Sequence, residues 1–433
     1  MLGARALLLL TSTSITYISA LCMDRFRSRR RRKISLFSGI FINLGILFFY
    51  KYYEFAGSLI TDFFSLLNIG IDIPRWNVLL PVGISFYIFQ AVGYAVDVYR
   101  GTIKAEKNFV VYALFISFFP QLVAGPIERA KNMLPQFREK HKFSYENFDA
   151  GLRLMIWGFF MKLCVADRVS TYVDAVYNNY MEHSGVSLLL ATFFFTFQIY
   201  CDFAGYSLIA IGSSKMMGFT LMENFHRPYF AKSIKEFWRR WHISLSSWFK
   251  EYVYIPLGGN RKGFPKQIRN ILIVWLLTGF WHGASWNFVA WGLYFGVLLI
   301  VEKLFLLRFL KKLPAFFQHV YTMLLVMLGW AIFSFDSLGN GIAYIRALFG
   351  GYGQPIWDGG GVYLLYTNIA LLLIAAVGST PLPKELWRRL EGRLSAHPIP
   401  LGAMETCLVA AGMVLSIAFL VDASYNPFLY FRF

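Results

Sequence analysis

The chain has 433 residues, 57% of them hydrophobic, 19% aromatic and only 15% charged. Soluble domains carry roughly 25% charged residues, so this composition excludes a soluble enzyme and indicates a single integral membrane domain over residues 1–433. The net charge of +18 lies in short clusters between apolar runs, as in cytoplasmic loops, and this argues against a nucleic-acid partner.

The first apolar run, Ala6 to Met23, leads into Arg-rich residues and not into a small-residue cleavage site, so it reads as a retained span. Seven basic residues against one acid between Asp24 and Lys33 place that loop in the cytoplasm and the N-terminus outside. The same run suits anionic lipid headgroups. Ile34 to Tyr50 reads as a second span, and Lys51 to Arg75 as interfacial, too broken to cross. Asn77 to Tyr99 returns inward, with a kink expected at Pro81 and Gly83. Phe109 to Gly125 has basic flanks on both sides and predicts a re-entrant segment closing at Pro120 and Pro126.

Gly151 to Val165 crosses outward, and Asp167 to Gly185, with three acids against one Arg, reads as an outside loop. In the next span, Ser187 to Ile211, residues Gln198, Asp202 and Tyr206 are four apart and share a helix face. Asp202 is either a site acid or a carboxylate paired with Lys or Arg for structure. From Lys232 to Arg269 nine basic residues face two acids, so this block belongs to the cytoplasmic side. Trp238, Trp241, Leu245 and Trp248 repeat at helical spacing, predicting one interfacial helix with Arg239 and Arg240 off its apolar stripe. Pro256 to Asn260 ends it as a loop.

Ile271 to Leu307 is too long for one straight helix through a core of about 30 Å, and the glycines and polar residues around His282 predict a break there, near the membrane midplane. Spans at Phe316 to Phe335, Val362 to Gly378 and Met404 to Val421 complete about nine crossings, with Asp336 to Gly361 outside. No internal repeat is present, which argues against a repeat-built transporter. Cys22, Cys164, Cys201 and Cys407 have no metal-type spacing.

The chemistry concentrates in residues 236–296, where His242 and His282 each follow a Trp. A histidine in apolar surroundings is a proton relay, a general base, a metal ligand or a packed ring. Two histidines without a third His or a Cys do not make a zinc set, so no metal is expected. A neutral imidazole in a dry pocket can take a hydroxyl proton as that oxygen attacks an activated carbonyl. Arg239, Arg240, Lys250 and Arg261 are candidates for holding donor phosphates; alternatively they only orient the chain in the membrane.

EFWRRWHISLSSWFKEYVYIPLGGNR and WHGASWNFVAWG resemble the membrane-bound O-acyltransferase (MBOAT) family, in its bacterial branch of alginate O-acetylation and teichoic-acid D-alanylation proteins. GISFYIFQAVGYAVDVYRG, FFPQLVAGPI, DFAGYSLIAIG and the C-terminal NPFLYFRF extend the likeness over residues 51–433. The resemblance implies an all-α ring of about 9–11 tilted helices with re-entrant helices around a funnel, a general reading consistent with the helix count expected for a polytopic chain. It implies His282 as the catalytic histidine and His242 as its partner, which orients substrate or polarises the thioester carbonyl. Trp238, Trp241, Trp281, Asn287, Asp202 and Gln198 would line the substrate channel. The implied reaction moves an acetyl group from acetyl-CoA or an acyl-carrier thioester, with no bound cofactor, toward a cell-surface polysaccharide. A periplasmic or extracellular acyltransferase would be the partner, and a bacterial cytoplasmic membrane the location. D-alanyl transfer, or a transporter for an acyl donor, are the rival readings. Two positions depart from the branch: Leu208 stands where a second acid is expected on the Asp202 helix, and His226 where Asn is expected.

Overall fold

A computed structural model describes residues 2–76, 79–378, 380–394, 398–422 and 428–429. Among these the chain is helical, with no strand. Six helices are long and apolar enough to cross a membrane, which makes this a multi-pass, all-α membrane protein.

Helix α1 (Leu2–Arg25) packs antiparallel on α2, which runs 38 residues from Arg29 to Leu66. The seam closes on small side chains: Ser19 and Ser35 exchange hydroxyl-to-carbonyl hydrogen bonds, and Gly39 leaves room for Ser19. The expected interfacial stretch after Tyr50 is instead a continuation of α2, through a π-helical turn at Phe48–Tyr52 that absorbs the irregularity without ending the rod. Helix α3 (Ile84–Arg100) begins after Gly83, whose φ of +80° is left-handed, so Pro81 and Gly83 start a helix and do not kink one. A Cβ at Gly83 would also stand 2.4 Å from the Leu122 carbonyl oxygen. Helix α4 (Phe109–Ser117) breaks at Phe118 ahead of Pro120, and α5 (Ala130–Arg138) follows.

Tyr145–Phe159, a π-helical segment Phe160–Ala166 and Asp167–Asn178 run on as one rod, α6. The outside loop expected from Asp167 is therefore helical to Asn178, because the acid there turns inward to a buried partner described below. Helix α7 (Gly185–Met216) is the central post: 72% of its apolar window is buried, against 6% for the last helix. It crosses α6 at two glycine pairs, Gly151 with Gly212 and Gly158 with Gly205, where added Cβ atoms would come within 2.5–2.7 Å of the facing carbonyl oxygens. Only small residues allow that approach between membrane helices.

The predicted interfacial helix is two short ones, α8 (Ile234–Arg240) and α9 (Ile243–Phe249). The break falls at His242, at φ 44°, a left-handed conformation that periodicity in the sequence does not register. Helices α10 (Phe264–His282) and α11 (Trp286–Val301) form the expected hairpin, joined by three residues. Gly279 and Gly292 let them touch: a Cβ on either would lie 2.3 Å from a carbonyl oxygen of the other helix. Then come α12 (Ala315–Ser334), α13 (Leu338–Leu348), α14 (Gly359–Gly378), α15 (Leu382–Leu394) and α16 (Pro398–Asp422). Helix α13 lies inside the glycine-rich stretch read as an outside loop.

Candidate active site

His242 and His282 are both buried, at 1% and 7% exposure, and the Trp281 ring neighbours both, 5.7 Å from the first and 5.0 Å from the second. His282 ends α10, with Trp291 at 4.9 Å and Phe333 at 5.3 Å edge-on to its ring; its Nδ1 has no hydrogen-bond partner among the described residues.

Asn224 governs His242. The Asn224 carbonyl accepts the Ile243 N–H at 2.9 Å, which pins the break, and its side-chain Oδ1 lies 3.0 Å from His242 Nδ1. That same Oδ1 accepts the Ser244 backbone N–H at 3.3 Å and the Ser244 hydroxyl at 2.9 Å, while Nδ2 donates to Ser207 Oγ at 3.2 Å. A backbone N–H can only donate, so the atom facing it is oxygen, and His242 Nδ1 must carry the hydrogen. In the neutral ring Nε2 then keeps its lone pair, and it has no partner among the described residues.

Three of the four basic donor candidates, Arg239, Lys250 and Arg261, line a cavity of about 960 Å³ between α8–α9 and the α10–α11 hairpin. Lys235, Lys262 and Lys303 line it as well, and no acid does. Arg240 is elsewhere, in an ion pair with Glu236 at 2.6 Å. The inner wall is apolar and includes Trp238 and Trp275, whose rings lie 4.6 Å apart. Trp238 is 5.5 Å from Trp291, which in turn contacts His282, so one indole separates the cavity wall from that histidine.

On its other side His282 borders a small cavity shared with Trp241, Asp202, Trp330 and Leu429. Asp202 is paired: Lys162 Nζ of α6 lies 2.7 Å from Asp202 Oδ1 and 2.7 Å from Asp167 Oδ1, with Lys162 and Asp202 buried and Asp167 partly so. Two carboxylates, Asp167 of α6 and Asp202 of α7, thus share one lysine. The Leu429 N–H donates to Asp202 Oδ2 at 2.9 Å and the Phe428 ring covers Lys162 at 4.8 Å, so the C-terminal segment docks on this group. The rest of the NPFLYFRF motif lies outside the described residues, apart from these two positions. Asn287 uses its amide to bond Ser285 Oγ and the Phe335 carbonyl, tying the hairpin to α12. Gln198 is buried one turn before Asp202 on α7.

Three residues of this assembly escaped the sequence reading. Asn224 lies in a loop with no periodic signal. Lys162 and Lys51 each stand alone in an aromatic-apolar run, Phe-Phe-Met-Lys and Phe-Phe-Tyr-Lys, and an isolated cation in a span is itself a signal of function. Lys51 reaches the end of α10, where Nζ donates to the Trp281 carbonyl at 2.6 Å and the His282 carbonyl at 2.9 Å.

The membrane-bound O-acyltransferase family model matches residues 103–341, more than half of the chain and including both histidines. The chain is 36% identical over 413 residues to a "probable alginate O-acetylase" of Pseudomonas putida, covering 92% of this chain and 84% of the relative. It is 33% identical over 376 residues to a peptidoglycan O-acetyltransferase of Helicobacter pylori, covering 79% and 70%. It is 30% identical over 243 residues to a teichoic acid D-alanyltransferase of Bacillus subtilis, covering 54% and 61%. With its helical membrane fold and its two buried histidines, the chain belongs to the membrane-bound O-acyltransferase family and is an acyltransferase.

Proposed function

We propose that this enzyme transfers an acetyl group from a cytoplasmic thioester donor to hydroxyls of a cell-surface polysaccharide such as alginate, at His282. One observation carries the reading: His282, which shares the Trp281 ring with His242, is separated by one indole, Trp291, from the Trp238 wall of a basic cavity of about 960 Å³. The donor's phosphates suit the basic rim, and its thioester arm suits the apolar wall at Trp238 and Trp275. The acceptor hydroxyl oxygen forms the new bond to the thioester carbonyl carbon while His282 takes its proton. The tetrahedral intermediate expels the thiolate, and the His282 imidazolium returns the proton to that sulfur. A base of this kind contributes about 10²–10⁴-fold, and positioning supplies much of the rest.

Of the two roles open to His242, polarising the carbonyl requires a donor at Nε2, and the hydrogen held at Nδ1 by Asn224 leaves a lone pair there instead. His242 therefore orients the acceptor by accepting from one of its hydroxyls. The enzyme sits in a bacterial cytoplasmic membrane with its N-terminus outside, and a periplasmic or extracellular acyltransferase assists the transfer to the polysaccharide. The likeness to a D-alanyltransferase supports one alternative, a D-alanyl thioester on a carrier protein.

Purified protein in lipid nanodiscs is given radiolabelled acetyl-CoA, and hydrolysis and transfer are measured for wild type, His282→Ala and His242→Ala. Loss of turnover in the histidine variants is expected. Equal turnover in all three overturns the catalytic assignment, and turnover only with a D-alanyl carrier selects the alternative.

A further inference from the structure

Helix α10 stops at His282 within the apolar interior, and a helix that stops leaves its last carbonyls without intrahelical donors. Away from water such groups need partners from the protein. Three successive carbonyls find them on α2: Tyr52 Oη donates to Phe280 at 2.7 Å, and Lys51 Nζ donates to Trp281 and His282 at 2.6 and 2.9 Å. Both donors belong to the π-helical turn Phe48–Tyr52, a local widening of the kind that recurs at functional sites because it re-aims side chains within a helix. Lys51 also meets the negative end of α10, where its charge is favourable. The three-residue link Gly283–Ser285 follows at once: the Gly283 N–H still bonds back to the Gly279 carbonyl at 3.3 Å, while the Trp281 and His282 carbonyls find their donor in Lys51.

We propose that Lys51 is a positioning residue for His282, setting the orientation of the histidine ring by clamping the peptide groups on either side of its Cα. This rests on His282 being the base. A lysine kept only for packing would be replaceable by an apolar chain of equal length, whereas a clamp on two carbonyls requires a multivalent donor. The ammonium has three hydrogens and uses two of them here.

The test compares wild type with Lys51→Met, Lys51→Arg, Tyr52→Phe and His282→Ala in nanodiscs, reading kcat and KM for acetyl-CoA together with the thermal midpoint. Lys51→Met should lower kcat by about 10–100-fold with KM unchanged, and the two carbonyls it leaves unpaired should lower the midpoint modestly in a protein that stays folded. Lys51→Arg should recover part of kcat. Tyr52→Phe frees only the Phe280 carbonyl and should lower kcat less. Wild-type kcat in Lys51→Met overturns the inference, as does an equal fall of kcat in Lys51→Met and Tyr52→Phe. If Lys51→Met does not fold, Lys51→Leu, which also has no donor, replaces it, and a wild-type kcat there overturns the inference equally. An inactive His282→Ala beside a fully active Lys51→Met refutes this inference alone, while an active His282→Ala refutes the proposed function.

Discussion

Asn224→Ala is the substitution that most directly probes the histidine pair. It deletes the oxygen that faces His242 Nδ1 at 3.0 Å and accepts both Ser244 donors, while the Asn224 backbone bond to Ile243 N–H remains. The helix break at His242 therefore survives, but the ring loses the group that selects its tautomer. A buried donor left unpaired costs about 1–3 kcal/mol, and at about 1.4 kcal/mol per decade this corresponds to a kcat roughly 5–150-fold lower. Ser207→Ala is the matched control: it removes only the acceptor for Asn224 Nδ2 at 3.2 Å, and the smaller loss is expected there. The assay is acetyl-CoA turnover in nanodiscs, with the thermal midpoint measured alongside. Folded Asn224→Ala protein with wild-type kcat would refute the tautomer argument, and so would an equal loss in Ser207→Ala.

Reversing charge in the cavity with Arg261→Glu and Lys262→Glu should raise KM for acetyl-CoA and leave kcat largely intact, as steady-state kinetics will read; an unchanged KM moves the donor elsewhere. Lys162→Ala leaves the buried carboxylate of Asp202 and the partly buried one of Asp167 without their shared cation, and removing one partner of a buried ion pair costs about 3–5 kcal/mol. Its thermal midpoint should fall sharply, whereas the triple change Lys162→Met, Asp167→Leu, Asp202→Leu should recover most of it. Asp358 accepts from the Ser184 hydroxyl and the Gly361 N–H, which hold its carboxyl below the ordinary value of 3.8. A folded value below the unfolded one means the stabilisation is complete above the unfolded value of 3.8 and is lost as pH falls through the folded value. The midpoint difference between wild type and Asp358→Ala should accordingly narrow in acid and stay constant from pH 5 upward by roughly the same linkage.

The broad design was legible because it depends on averages and local chemistry. Long apolar windows with clustered basic loops announce helices across a membrane, and the glycine-flanked break at His282 is written into residues 279–285, where no helix could run straight and still fit. The two Trp-His pairs and three of the six basic residues lining the cavity, Arg239, Lys250 and Arg261, could be named from sequence for the same reason. The partners that make them a site could not. Lys51 meets carbonyls 230 and 231 positions away, and in a hydropathy window it is a slight dip in an apolar run. Lys162 finds Asp202 across the α6–α7 glycine contacts, while Asp167 meets the same cation from Lys162's own helix. The left-handed turn at His242 is invisible to a helical stripe, since Trp238, Trp241 and Trp248 keep their spacing whether or not the backbone breaks between them. By itself the sequence determined which side chains face apolar surroundings and where the chain must bend. Only the tertiary structure decided what each buried polar group meets, because in a dry interior that partner can come from any helix close enough to donate.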